Sequence, residues 1–309
     1  MKKQISKSQL KKVDELLKKT FISLRSDYGF KRAYSSPEYS EVLRKFLNAL
    51  FEGEMEITDV IFKDKEITPP TDKGKRIYYD AYCTTSTGQH FIVEMQRRPS
   101  NFFDKRMVFY ISACVFKQGV SGGTYQFSPV YLIVITDFDM QPFEKKLVNE
   151  VLLIERATNV VFSEDFRIYF LSLEQVGKEW EDCKTELEKR LYITKNMENL
   201  DKKSKPYLTG EYEEMFNAAE IASMAAEDIV EYRTSIIREM EYQSEIDYQR
   251  KEAREEGREE GREEGREEGR EEGEKNARIK MAKKMKESDM PLGDIMLYTE
   301  LTREEIEQL

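Results

Sequence analysis

Histidine is nearly missing from this chain: His90 is the only one in 309 residues. Cysteine is scarce too, and Cys83, Cys114 and Cys183 lie far apart. Such a set offers no zinc cluster, Ser-His-Asp triad or Cys-His dyad. Any hydrolytic chemistry must then run on carboxylates and an oxygen-liking metal. His90 itself is expected to be a packing residue, as are Trp180, Cys83 and Cys114. Long apolar runs are also lacking. None approaches the ~20 residues of a membrane-spanning helix, and no secretory signal is expected ahead of the domain. A cytoplasmic protein with reduced thiols and no membrane contact is the expectation.

Charge is abundant instead. Charged residues make up 36% of the chain, against about 25% in an ordinary compact domain. The distribution is uneven. Residues 1–150 carry 24 Lys+Arg and 19 Asp+Glu, a net of +5, so the remainder carries the −15 that brings the whole chain to −10. A mildly basic first half joined to an acidic second half fits a nucleic-acid-facing domain attached to a solvated helical region.

Residues 76–98, RIYYDAYCTTSTGQHFIVEMQRR, predict a β-hairpin. Two runs of aromatic and β-branched residues flank Ser86, Thr87 and Gly88, and Gly88 can take the positive φ that a three-residue loop needs. If Thr85 and Gln89 close the loop, pairing runs outward from Thr84–His90 and sets Asp80 opposite Glu94. Gln96 then shares Glu94's face. Opposed Cβ atoms on a strand pair lie about 4.5–5.5 Å apart, where like charges repel. Two carboxylates held this way want a cation or a shared proton. Loss of either is expected to relieve repulsion and leave the metal-free melting temperature unchanged or higher.

Around the hairpin, apolar spacing predicts an amphipathic helix over residues 2–20, a helix over 37–51 and a strand over 57–62. Loops are expected at residues 69–74 and 122–123. A helix over 101–118, capped by Asn101 and stopped at Gly119, should follow the hairpin. The apolar run 130–136 reads as a strand covered on both faces, and 166–171 as one more. Helices are expected over 187–200 and 212–226.

Asp, a hairpin, then Glu-x-Gln in an apolar strand resembles the PD-(D/E)XK nuclease active site, with Gln where that pattern has Lys. This variant is similar to the Rpn family of recombination-promoting nucleases. Asp27-Tyr28-Gly29-Phe30-Lys31 resembles the family's D-x-x-F-K segment, residues 91–96 its central strand, and Arg106 to Tyr110 its following helix. The resemblance implies an α/β restriction-endonuclease-like mixed sheet with flanking helices, followed by a mostly helical C-terminal region. It implies a Mg²⁺-dependent endonuclease acting on DNA, with Mn²⁺ as a substitute, tied to recombination or mobile elements. Asp80 and Glu94 would hold the metal, with the Met95 carbonyl as a third ligand, and Gln96 would complete the catalytic set. Asp27 would either join the metal site or serve as a helix N-cap. Lys31, Arg106 and Tyr110 are candidate DNA or phosphate contacts, Arg106 and Tyr110 sharing a helix face at i,i+4. Arg106 could equally fix Gln96, and Tyr110 could be plain core. Gln96→Lys is expected to leave activity intact or raise it. The alternative is a non-catalytic, DNA-binding and self-associating protein with a degenerate nuclease core.

The expected organisation is a nuclease-like domain over 1–175, a helical region over 176–253, a spacer over 254–274 and a small helical tail over 275–309. The spacer is Arg-Glu-Glu-Gly repeated five times. Each Gly costs about 1 kcal/mol against Ala in a helix, so the repeat reads as a solvated, weakly helical tether. The tail resembles a small helix-turn-helix unit of the same family, with Glu300 where the family's turn has Gly and a capping box from Thr302 to Glu305. Homo-oligomerisation through these C-terminal helices is a further expectation.

Overall fold

A computed structural model describes residues 6–67, 75–119, 126–200 and 210–309, so the loops expected at 69–74 and 122–123 lie outside the described residues. Helix α1 is Lys7–Leu16, closed by a Ser6 capping box, and it buries Val13. Helix α2 is Asp27–Tyr34. The capping role open to Asp27 belongs to Ser26, whose hydroxyl accepts the Gly29 N–H at 3.0 Å. Asp27 is the first helical residue instead, where a negative charge suits the helix dipole. Gly29 is required here, since a Cβ would lie 2.1 Å from the Ser23 carbonyl. A 3-10 turn, Pro37–Tyr39, leads into α3, Ser40–Leu50, which buries Val42, Leu43, Phe46 and Leu47.

The strand expected over 57–62 shrinks to β1, Ile61–Phe62. Then come β2, Glu66–Ile67; β3, Ile77–Tyr78; β4, Ala81–Thr84; and β5, His90–Gln96. The β4–β5 hairpin has the register read from sequence, from Thr84↔His90 to Ala81↔Val93. Its loop closes with Thr85 N–H donating to Gln89 O at 3.1 Å and with Gly88 at φ +98°. Helix α4 is Phe103–Lys117. Phe102, not Asn101, occupies its N-cap position, with φ 59° and no side-chain cap. Strand β6 is Val130–Thr136, buried throughout. Strand β7, Val148–Ile154, has no counterpart in the sequence reading, and β8, Val161–Ser172, is longer than expected.

Six strands form one sheet in the order β1-β4-β5-β6-β8-β7. β5, β6 and β8 run parallel, while β1, β4 and β7 are antiparallel to their neighbours. On one face, Phe103, Met107, Ile111 and Cys114 of α4 pack against Ile92, Leu132 and Val134. On the other, Phe51 at the end of α3 meets the rings of Phe91, Tyr131 and Tyr169 at 5.2–5.7 Å. Both faces of β5 and β6 are covered, which explains their unbroken apolar runs.

Helices α5, Glu186–Asn196, and α6, Glu213–Ala219, pack on α2 and α3. Ile22 N–H donates to Ala219 O at 2.8 Å, and Ile221 N–H to Thr20 O at 3.1 Å. The first compact unit therefore extends past residue 175, through Glu239. The second unit begins at Met240. Helix α7, Ala226–Glu287, starts in the first unit and continues through the whole repeat. Every repeat residue is exposed, and beyond the local helix backbone no atom lies within 4 Å of where a Cβ on Gly257, Gly261, Gly265, Gly269 or Gly273 would sit. Beyond it, α8, Leu292–Thr299, and α9, Arg303–Glu307, close over Ala282 to bury Ile295, Leu301 and Ile306. Glu300 takes the left-handed conformation, φ 55°, that the family's Gly would occupy, and Arg278 pairs with it at 2.7 Å. Thr302 and Glu305 form the capping box. Among the described residues no helix is long and apolar enough to cross a membrane.

Candidate active site

The hairpin ends where β4 runs out. Ala81 is its last paired residue, so the Asp80 N–H has no ladder partner and donates to Glu94 Oε1 at 3.1 Å. Reciprocally, the Met95 N–H donates to Asp80 Oδ2 at 3.0 Å. The two carboxylates thus meet by capping each other's strands. Glu94 is buried, 3% exposed. Burial, and then the neighbouring Asp80 charge, push its carboxyl well above the ordinary range. Burial raises Asp80 as well, against the pull of the Met95 N–H and of Lys31. Each carboxylate repels its neighbour and also holds a main-chain N–H. Alanine at either position would relieve the first and orphan the second, so the expected neutral effect on melting needs correction.

Gln96 extends the same face. Its Nε2 donates to Glu94 Oε2 at 3.3 Å, and its Oε1 accepts from Arg106 Nη2. Of the two roles open to Arg106, the geometry is the one that fixes Gln96. Arg106 also lies over the Phe103 ring at 5.5 Å, and its Nε is buried with no partner among the described residues. Tyr110, one turn further on, is half-buried; its carbonyl accepts the Tyr79 hydroxyl at 2.7 Å, and the two rings meet edge to face. Its surroundings are those of core.

Lys31 reaches in from α2. Its Nζ is 2.5 Å from Asp27 Oδ1 and 3.8 Å from Asp80 Oδ1. Burial disfavours its charge, yet the Asp27 contact, followed by the charges of Asp80 and Glu94, holds its proton affinity above the usual lysine value. Asp27 is mostly exposed; it shares Lys31 with Asp80, and its charge also raises Asp80. Sequence reasoning missed Lys65. It shares a cleft of about 510 Å³ with Asp27, Lys31, Arg32, Asp228 and Arg238. Burial and then the Lys31 charge lower its proton affinity, while Asp80 and Asp27 pull the other way. Nothing in the periodicity around Lys63-Asp-Lys65-Glu marks it out. His90 is held by the Tyr82 hydroxyl at 2.7 Å, at the opposite end of β5 from Gln96. Among the described residues no three His, Cys, Asp or Glu side chains gather to hold a metal.

A mixed sheet with helices on both faces, and a carboxylate pair where its hairpin opens, defines a protein of the PD-(D/E)XK nuclease fold. The family model for PD-(D/E)XK nuclease family transposases matches residues 24–249, and the chain belongs to that family. No curated protein and no solved structure matches the chain.

Proposed function

We propose that the chain is a Mg²⁺-dependent endodeoxyribonuclease of low sequence specificity, working in recombination or in movement of mobile elements. The observation that carries this reading is the Asp80–Glu94 pair, a half-buried and a buried carboxylate held together by reciprocal main-chain bonds, both with proton affinities raised by burial and Glu94 further by the Asp80 charge. A hard divalent cation fits this donor set. Asp80 Oδ1 and Glu94 Oε2 are the oxygens not used on main-chain donors. The Met95 N–H faces Asp80, and on a strand the carbonyl of the same residue points to the same side. When bound, the cation supplies a Lewis acid for the phosphodiester and its attacking water.

The chain's own residues supply the rest. Gln96, oriented by Arg106, offers its second Nε2–H to a water or phosphate oxygen. It carries no charge, so Lys31 and Arg106 provide the positive potential that a lysine at position 96 would have brought. Lys31, Lys65 and Arg238 give the adjoining cleft cations for a backbone phosphate, a contact that holds DNA without reading its bases. The alternative of a degenerate DNA-binding core draws on the missing lysine and the small donor set. Plasmid nicking in Mg²⁺, Mn²⁺ or Ca²⁺ separates the two. Cleavage lost in Asp80→Asn supports the nuclease, whereas DNA binding without metal-dependent cleavage supports the alternative.

A further inference from the structure

Strand β5 ends at Gln96, and the next two residues are Arg97 and Arg98. Both guanidinium groups turn to one carboxylate, Glu239 of α7. Arg97 Nη1 bonds to Glu239 Oε1, and Arg98 Nη2 lies 3.8 Å from the same oxygen. Each arginine side chain is about a third exposed. Beside them Arg25 holds Asp137 at 2.9 Å and Glu198 at 3.2 Å. The Asp137 N–H donates to the Gln96 carbonyl at 3.0 Å, which ties this cluster to the end of β5.

Holding α7 in place does not require this arrangement. Tyr232 and Ile236 of α7 are buried already, and the Tyr232 hydroxyl accepts the Ser23 N–H at 3.2 Å. Glu239 comes one turn after Ile236, as the last residue of the first unit. Its pairing is partly exposed, so it contributes little to stability. It also leaves a donor over. Arg97 Nε is buried without a hydrogen bond among the described residues, with Asp137 Oδ2 3.9 Å away. Three arginines meet three carboxylates in this cluster, so taking Glu239 out leaves one net positive charge. A phosphodiester brings back that single negative charge, with two acceptor oxygens for forked guanidinium donors. Successive phosphates of one DNA strand advance about 3.4 Å along the duplex, and Arg98 is two residues, about 7 Å of chain, past Gln96. A strand with a phosphate at Gln96 therefore carries neighbouring phosphates to both arginines.

We propose that Arg97 and Arg98 form a phosphodiester-binding subsite beside the candidate active site, filled by Glu239 in the free protein and taken over by a DNA strand. The inference rests on the reading of this chain as one that acts on DNA. The subsite holds the backbone without reading bases, and Glu239 weakens binding because its carboxylate competes with the phosphate.

Fluorescence anisotropy of the full chain with a short labelled DNA duplex, in EDTA, tests this. Binding is then read without metal or cleavage, so the subsite can fail while the nuclease reading stands. Glu239→Gln keeps the side-chain shape and removes the competing charge. It should tighten binding about two- to fivefold, the size of a partly exposed ion pair. It should also steepen the fall of log affinity with log salt by about 0.9, since one more phosphate contact then releases counterions. Glu227→Gln removes the same charge from an exposed position on the same helix and should leave affinity nearly unchanged. With Arg97→Gln and Arg98→Gln in place, Glu239→Gln should bring no gain. Binding that is unchanged or weaker in Glu239→Gln overturns the proposal, and a lower melting temperature alongside would make the cluster a structural clasp. An equal gain in Glu227→Gln, or a gain that survives loss of both arginines, overturns it too. If neither the wild type nor Glu239→Gln binds the duplex, the subsite falls together with the DNA reading. Metal-dependent cleavage with an affinity that Glu239→Gln does not move overturns the subsite alone.

Discussion

Replacing Asp80 by Ala and by Asn should give two different proteins. Both substitutions remove the charge that, after burial, raises Glu94, and both should abolish cleavage. Only Asn keeps an oxygen to accept the Met95 N–H, 3.0 Å from Oδ2 in the native chain. Alanine leaves that donor unpaired in a largely buried setting, at a cost of about 1–3 kcal/mol. For a unit of this size, each kcal/mol moves the melting temperature by about 2–4 °C. Without metal, Asp80→Ala should therefore melt roughly 2–12 °C below Asp80→Asn, and Asp80→Asn should match or exceed the wild type. Adding Mg²⁺ should raise only the wild type, by about 2.7 kcal/mol of stability at a hundredfold excess over the dissociation constant. Differential scanning calorimetry in EDTA and in Mg²⁺ measures all of this. Equal melting of the Ala and Asn variants, or a Mg²⁺ response that survives both, would refute the reciprocal strand-end bonding and the ligand assignment with it.

In EDTA, stability should fall as pH rises above the ordinary carboxylate range. Asp80 and Glu94 bind protons more tightly folded than unfolded, so protons are taken up on folding in that window and the benefit disappears above it. Glu41 and Glu188 are shifted down, so their contribution is lost only below the ordinary range and does not mask the trend. A melting profile flat across that window would count against the coupled pair. Gln96→Lys alone should cleave less well than wild type, contrary to the sequence expectation, because it sets a cation against Arg106. Adding Arg106→Gln should recover activity, and equal activity in the single and double variants would show that the Arg106 contact does not matter. Changing all five repeat glycines to Ala should raise helicity at 222 nm, each site contributing about 1 kcal/mol. Cleavage should be unchanged, and a loss of cleavage would assign the glycines a packing role.

Much of the architecture was legible because it depends on neighbours in sequence. The hairpin register followed from Gly88 and the alternation on either side, and β6 from its continuous apolar run. The Thr302–Glu305 box and the turn at Glu300 are likewise local. What local pattern did not announce was decided at a distance. Strand β7 owes its pairing to β8, which a weak alternation in Val148–Ile154 does not announce. The end of the first unit at Glu239 rests on bonds between residues 20–22 and 219–221. The repeat is one continuous helix although its glycines argue against it, since α7 is already nucleated on the first unit and elongation is easier than initiation.

By itself the sequence determined which residue types could do chemistry here, and that two carboxylates and a glutamine share one strand face. Periodicity and composition suffice for that, since they act through backbone geometry alone. Only the tertiary structure decided that Asp80 and Glu94 cap each other's strands, that Arg106 holds Gln96, and that Lys31 and Lys65 enter from elements far along the chain. Those are contacts between side chains brought together by packing, and no local pattern encodes the distance between them.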